Sequence, residues 1–265
     1  LIEKIKSGYY DVIICHTIKN LFWLKKSPKT KIIFIAHIPL FSYKAPLLIK
    51  SKCKKLIYNF FSLIYPINFV AVSKFKKQSW NKKGYTIDLA PQEFRKKQAN
   101  LNSTKPILVA NQLAHRKEEL GYLLIKKISA KIPLQIIGNN PDITGTTKPK
   151  SFAEFEDLFL NASIYLYTIK QPYGDGYNTA LLEAMSLGLA VVTVDNPSSP
   201  IKHNFNGLVG KNTEELIEHL KTLQNNKELR NRLGKEAQRT VDKKFSQDLF
   251  IHRWQETIEK TCSSS

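Results

Sequence analysis

The sequence predicts an α/β protein of two domains, each built on a parallel sheet, and three observations predict it. Short apolar runs recur at 11–15, 32–36, 69–72, 107–110, 134–138, 164–168 and 190–194, the pattern of strands covered on both faces. Longer stretches of mixed polarity separate them, as crossover helices do. Residues 91–105, PQEFRKKQANLNSTK, are polar and lack apolar periodicity, which marks an interdomain linker. A chain of 265 residues that is 42% hydrophobic has enough material for two modest cores.

Taken in order, residues 1–8 read as the tail of a helix, followed by the strand Asp11–Cys15, which ends at His16 and Thr17. The strand Ile32–Ala36 ends at His37. Both histidines stand where open α/β sheets bind ligands, at the carboxyl ends of strands. Residues 42–64 set Lys44, Lys50, Lys52, Lys54 and Lys55 among Leu47, Leu48, Ile49, Leu56, Ile57, Phe60 and Phe61. This composition suits a basic amphipathic helix on an anionic lipid surface, or a core-facing helix with a solvated lysine face. After the strand Phe69–Val72, Ser73 can cap a helix, and Trp80 reads as packing. The second domain opens at Ile107–Ala110 and runs into NQLAHRKEELGYLLIKKI, a loop and an amphipathic helix. Beyond Asp195, Glu214–Leu223 and Lys227–Val241 read as amphipathic helices. Ser246 can cap a last helix striped by Phe250, Trp254 and Ile258.

Residues 163–195 carry the densest chemistry. Two strands flank a loop with Pro172, Gly174 and Gly176, breakers that let backbone approach a ligand. A short helix follows, which Asn178 or Thr179 can cap and Gly188 can end. Glu183 lies on its second turn, and helical side chains lean toward the amino end. Asp175, eight residues earlier, lies in the loop. Two carboxylates thus flank a helix N-terminus, whose open N–H groups and positive dipole end suit a phosphate. That combination fits a sugar nucleotide, with carboxylates for hydroxyls and amides for phosphates.

The run DGYNTALLEAM at 175–185, followed by SLGLAVVTVD and by NGLVG at 206–210, resembles the donor-site signature of glycosyltransferase family 4. The family usually has Glu at both ends of an acidic pair spaced eight apart; here the pair is Asp175 and Glu183. The resemblance implies the GT-B fold, α/β with two Rossmann-like domains facing a cleft. Residues 1–97, with a helix at 247–265 crossing back, would form the acceptor-side domain, and residues 104–246 the donor domain. It also implies a retaining, metal-independent hexosyltransferase with no cofactor, using a UDP or GDP sugar and a lipid-linked or polysaccharide acceptor. Glu183 would take the ribose hydroxyls. Asp175 and the amides of Gly176, Tyr177, Asn178 and Thr179 would orient the sugar, and His37 would lie near it. In the loop that holds the diphosphate in the family, Asn111 stands at the Arg position and Arg116 at the Lys position, with Lys117 beside it. No strand and Gly-rich turn precede Asp11, so the first domain is expected to be incomplete. The alternative expectation is a truncated, non-catalytic relative that binds nucleotide sugar or a membrane-associated partner.

Charge adds a location. Residues 1–100 hold 20 Lys plus Arg against 4 Asp plus Glu, and the remaining 165 hold 21 against 18, so the first domain carries the basicity. Such asymmetry implies an anionic partner. A membrane surface met through residues 44–61 is expected, and nucleic acid is not, because no recognition motif is present. Cys15, Cys53 and Cys262 have no metal-type spacing and suit a reducing compartment. With no signal peptide evident, the expected location is cytoplasmic, peripheral at the inner face of the cytoplasmic membrane.

Overall fold

The structure is a computed structural model that describes residues 2–24, 30–40, 45–92 and 103–263. It divides into two compact units, Leu1–Leu89 with Gln247–Ser265, and Ala90–Ser246. Most of the linker read at 91–105 lies outside the described residues, as does Lys44.

The first unit runs α1 (Ile2–Lys6), β1 (Val12–Cys15), α2 (Ile18–Leu21), β2 (Lys31–Ala36), α3 (Ala45–Ile64), β3 (Ile67–Ala71), α4 (Lys74–Trp80) and β4 (Tyr85–Thr86). Its four strands lie parallel in the order β1-β2-β3-β4. Because side chains alternate along a strand, β2 feeds two cores. Ile32, Phe34 and Ala36 join Tyr58, Phe61, Phe69 and Trp80 on one face. Ile33 and Ile35 join Val70, Val72 and Ile87 on the other, against Phe250, Trp254 and Ile258. The stripe read near the end of the sequence therefore covers the second face of the first sheet. Trp80 is packing, as its neighbours suggested: it is buried against Phe34 and Phe69, and its indole N–H donates to the Ile38 carbonyl at 3.0 Å. Ser73 caps α4 by accepting the Lys76 N–H at 3.1 Å.

Helix α3 is amphipathic in an informative way. Tyr58 and Phe61 turn into the core, while Ile49, Leu56, Phe60 and Leu63 stand in solvent, Leu56 at 71% and Leu63 at 87% exposure. With the exposed Cys53, the outward residues fall at alternating spacings of four and three, a continuous stripe along one helix face.

The second unit runs β5 (Ile107–Val109), α5 (Tyr122–Ser129), β6 (Gln135–Ile137), β7 (Thr146–Thr147), α6 (Phe152–Leu160), β8 (Ile164–Tyr167), α7 (Thr179–Ser186), β9 (Ala190–Val194), β10 (Leu208–Gly210), α8 (Thr213–Asn225) and α9 (Lys227–Lys244); α10 (Gln247–Ser263) then returns to the first unit. Six parallel strands lie in the order β10-β9-β8-β5-β6-β7. Strands β8 and β9 are buried throughout, which is why they read as unbroken apolar runs. Their side chains pack with Ile125 and Ile128 of α5 and with Leu216, Leu220 and Leu233 of α8 and α9.

Candidate functional site

The chain leaves β5 toward β6 and β7, then returns to β5's other side as β8. The order therefore reverses between β5 and β8, and such a switch point opens a crevice beyond the carboxyl ends of the strands where ligands bind. Two loops rise there, residues 110–121 after β5 and 168–178 after β8. They are tied to each other: the Thr168 hydroxyl donates to the Leu120 carbonyl at 2.7 Å. Gly121 has φ +68, and a Cβ there would come within 3.2 Å of the Thr168 carbonyl oxygen. Only glycine takes that backbone and that approach cheaply.

Helix α7 starts at the end of the second loop. Of the two caps open to the sequence, Asn178 is the one used, its Oδ1 accepting the Leu181 N–H at 2.9 Å. The N–H groups of Thr179 and Ala180 precede the helix's own hydrogen-bond ladder and form its positive end. Asp175 and Glu183 are 5% and 7% exposed, so both spaced acids are buried in this region. Burial raises the Glu183 pKa above the usual carboxylate value, opposed by a hydrogen bond from the Gln92 main chain. The Asp175 carbonyl accepts the Tyr167 hydroxyl at 2.9 Å. Burial, then Tyr165 and Asp175, push that phenol well up, so it stays protonated and keeps donating.

The loop glycines pack closely against the chain's own residues. The Gly176 N–H donates to Ser198 Oγ at 2.8 Å, and the Ser198 hydroxyl donates to Asn196 Oδ1 at 3.0 Å. Asn196 Nδ2 donates in turn to the carbonyls of Ile169 at 3.1 Å and Gly174 at 3.3 Å. A Cβ at 176 would sit 2.2 Å from the Ser199 nitrogen, and one at 174 would sit 2.7 Å from Ile169 Cγ2. Both glycines therefore make room for the chain's own residues, and the Gly176 amide is held by Ser198. Tyr177 turns inward, its ring 5.2 Å from that of Phe245. Asn196, Ser198 and Tyr167 were missed in the sequence. The available signal was that Asn196 lies two residues past the end of β9, where site residues of parallel sheets collect.

The cationic residues Arg116 and Lys117 are carried by the loop after β5. Helix α5 begins only at Tyr122, after the left-handed Gly121, so Arg116 and Lys117 lie in turns. Arg116 forks onto Glu119, Nε to Oε2 at 3.0 Å and Nη2 to Oε1 at 2.5 Å. That hydrogen bond is the largest cause of its raised pKa. Lys117 is exposed, without an ion-pair partner among the described residues. Asn111 Oδ1 accepts the Asn139 N–H at 2.7 Å, joining the loops after β5 and β6.

His37 belongs to the first unit, at the end of β2. Its Nε2 lies 2.9 Å from Nδ1 of His16 at the end of β1. Its pKa is lowered, first by burial, then by His16 and Lys76.

Residues 137–240, which include α7 and both acids, match the family described as Glycosyl transferases group 1. No curated protein matches the sequence. Among solved structures, the chain superimposes on HepE of Anabaena in complex with UDP-glucose with a TM-score of 0.75, at 14% identity over 98% of this chain and 82% of that one. It superimposes on a glycosyltransferase from Rickettsia africae at 0.66, with 16% identity over 100% and 80%. A mutant of S. aureus TarM in complex with fondaparinux, alpha-GlcNAc-glycerol and UDP gives 0.72, at 12% identity over 93% and 55%. In another structure of TarM the chain spans 54% of that protein's length. The fold is thus GT-B, with two Rossmann-like α/β domains. Residues 137–240 match the Glycosyl transferases group 1 family, and the chain shares the GT-B fold of these structures.

Proposed function

We propose that the protein is a retaining, metal-independent glycosyltransferase that moves a hexosyl-type sugar from a UDP or GDP sugar to a lipid-linked or polysaccharide acceptor. The observation that carries this reading is the burial of Asp175 and Glu183 by the N-terminus of α7, beside the reversal in strand order. Buried carboxylates have lost water, and donor hydroxyls replace those hydrogen bonds. Glu183 accepts from the ribose hydroxyls. Asp175 orients the sugar together with the amide groups at 177–180, the Gly176 amide being already engaged by Ser198. As the glycosidic bond breaks, charge grows on the departing diphosphate, and Lys117 with the α7 dipole stabilises it. Arg116 adds a bidentate grip once Glu119 is displaced. The acceptor oxygen bonds to the anomeric carbon on the face the diphosphate leaves, and its proton passes to a diphosphate oxygen. HepE is described with UDP-glucose, which supports uridine as the base.

The proposed location rests on α3. Its solvent-facing apolar stripe beside Lys50, Lys52, Lys54 and Lys55 suits the cytoplasmic face of an anionic membrane, each lysine contributing roughly 1 kcal/mol. No described helix is long and apolar enough to cross a membrane.

Thermal denaturation with a panel of UDP and GDP sugars tests the donor assignment. A shift in the parent that Glu183→Ala abolishes is expected; equal shifts in both would refute the site. A second reading, a binder without turnover, is favoured by Arg116 and Asn111 being held by Glu119 and Asn139. Donor hydrolysis or transfer by the parent protein would exclude it.

A further inference from the structure

The first unit contains a groove of about 690 Å³ lined by α4, β4 and α10, within the usual size range of small-molecule clefts, about 300–1,000 Å³. Helix α4 turns one face into it: Lys74, Lys77, Gln78 and Asn81 line the groove at the i, i+3, i+4, i+7 spacing of a single helix face. Its opposite face, with Phe75, Ser79 and Trp80, is buried. The facing wall is Arg253, Glu256 and Thr257 of α10, and Tyr85 and Thr86 of the edge strand β4 complete the lining.

Charge in the groove is unbalanced. Of its two acids, Asp88 is held by Arg253 at 3.0 Å, and Glu256 is shared between Lys260 at 3.3 Å and His252 at 3.4 Å. Lys74 and Lys77 have no ion-pair partner among the described residues. Lys82 lies over the Tyr58 ring, 5.2 Å from its centroid, which leaves its charge uncompensated. The surrounding sequence cannot supply the missing charge, because between Asp11 and Asp88 there are fifteen lysines and no Asp or Glu. Like charges converging in a concave site raise the local concentration of anions. Beside the cations stand two amides, a threonine hydroxyl and an exposed tyrosine ring. Amides and hydroxyls match sugar hydroxyls, an aromatic face matches an apolar sugar face, and lysines match carboxylate or phosphate as point charges.

We propose that this groove is a second binding site, distinct from the donor site at α7, and that it takes an anionic oligosaccharide bearing carboxylate or phosphate groups. Its cations hold the acidic groups while Gln78, Asn81 and Tyr85 select sugar over other polyanions. Calorimetric titration of the full chain with hexagalacturonate tests this, with maltohexaose as the uncharged control and single-stranded RNA as competitor. Binding of the acidic hexamer alone is expected, weakening as salt rises and weakened ~10-fold or more in Lys74→Glu/Lys77→Glu. Lys50→Glu/Lys52→Glu on α3 is expected to bind as the parent does. Should the α4 charge reversal fail to fold, Lys74→Gln/Lys77→Gln serves in its place with the same direction of effect. Equal binding of maltohexaose, retained binding in the α4 variant, an equal loss in the α3 variant, or full displacement by RNA of matched charge would each overturn the proposal. The readout needs neither donor nor turnover, so its failure is separable from failure of the transferase reading.

Discussion

Nδ1 of His16 lies 2.9 Å from Nε2 of His37, with the two rings stacked 5.2 Å apart between centroids. One nitrogen must donate and the other accept, so the pair cannot be doubly protonated without losing the bond and adding like-charge repulsion. Burial, His16 and Lys76 all favour neutral His37. A depressed folded pKa means that His37 contributes stability above its ordinary value of 6.5, and that this is lost as pH falls through the folded value. In an NMR titration the His37 midpoint is expected below 6.5. His16→Ala should move it only part of the way back, because burial is the larger cause. A midpoint at or above the ordinary value would contradict this account.

Glu183 has the opposite sign. Burial raises its pKa above 4.5, so its contribution to stability is complete below that value and is lost as pH rises through the folded pKa. Glu183→Gln keeps the shape and an acceptor for the Gln92 N–H but never ionises. The melting temperature of Glu183→Gln minus that of the parent should therefore grow more positive from acidic to neutral pH, while the donor-induced shift shrinks. A flat difference across that range would show that Glu183 is not strained by burial.

Asn196 fixes the loop at 168–178 from a distance in sequence. Asn196→Ala leaves the half-buried Ile169 and Gly174 carbonyls without the donor they have, at a cost of about 1 kcal/mol each. Chemical denaturation should register the loss. Donor-induced stabilisation should fall as well, since Asn196 also accepts from Ser198, which holds the Gly176 amide. Unchanged donor binding at lowered stability would separate the clamp from the site.

The cysteines differ by environment. Cys15 is buried, and burial pushes its thiol up to about 11, so it should resist alkylation in the folded protein while the exposed Cys53 and Cys262 react. Cys53 lies in the outward stripe of α3. An environment-sensitive dye there should shift to the blue on anionic vesicles and not on neutral ones. No shift on either would count against lipid contact through this helix.

Much of the fold was legible because the signals were local. The runs 32–36, 164–168 and 190–194 hold strands covered on both faces, the run 11–15 holds an edge strand with Ile14 exposed, and α7 starts at a capping asparagine. The Phe250, Trp254 and Ile258 stripe was visible from its spacing. The close neighbours of Gly176 were not legible because they are nonlocal, Ser198 and Ser199 lying more than twenty residues beyond it, whereas Gly174 meets the nearby Ile169. The boundary between the loop and α5 was left open in the sequence, and one glycine at φ +68 sets it. Asn196 had no motif of its own, and only the sheet order gives it a place at the switch point.

The return of α10 to the first sheet makes the second unit, Ala90–Ser246, a single uninterrupted piece of polypeptide, whereas the first is assembled from two pieces separated by that whole unit. A ribosome therefore completes the second unit before the first has its last helix. Until then Ile33, Ile35, Val70 and Val72 lack their cover from Phe250, Trp254 and Ile258. A stop codon just before Gln247 would spare the whole second unit and yet leave a greasy sheet face open to self-association. For the same reason, residues 90–246 are the natural fragment to express alone.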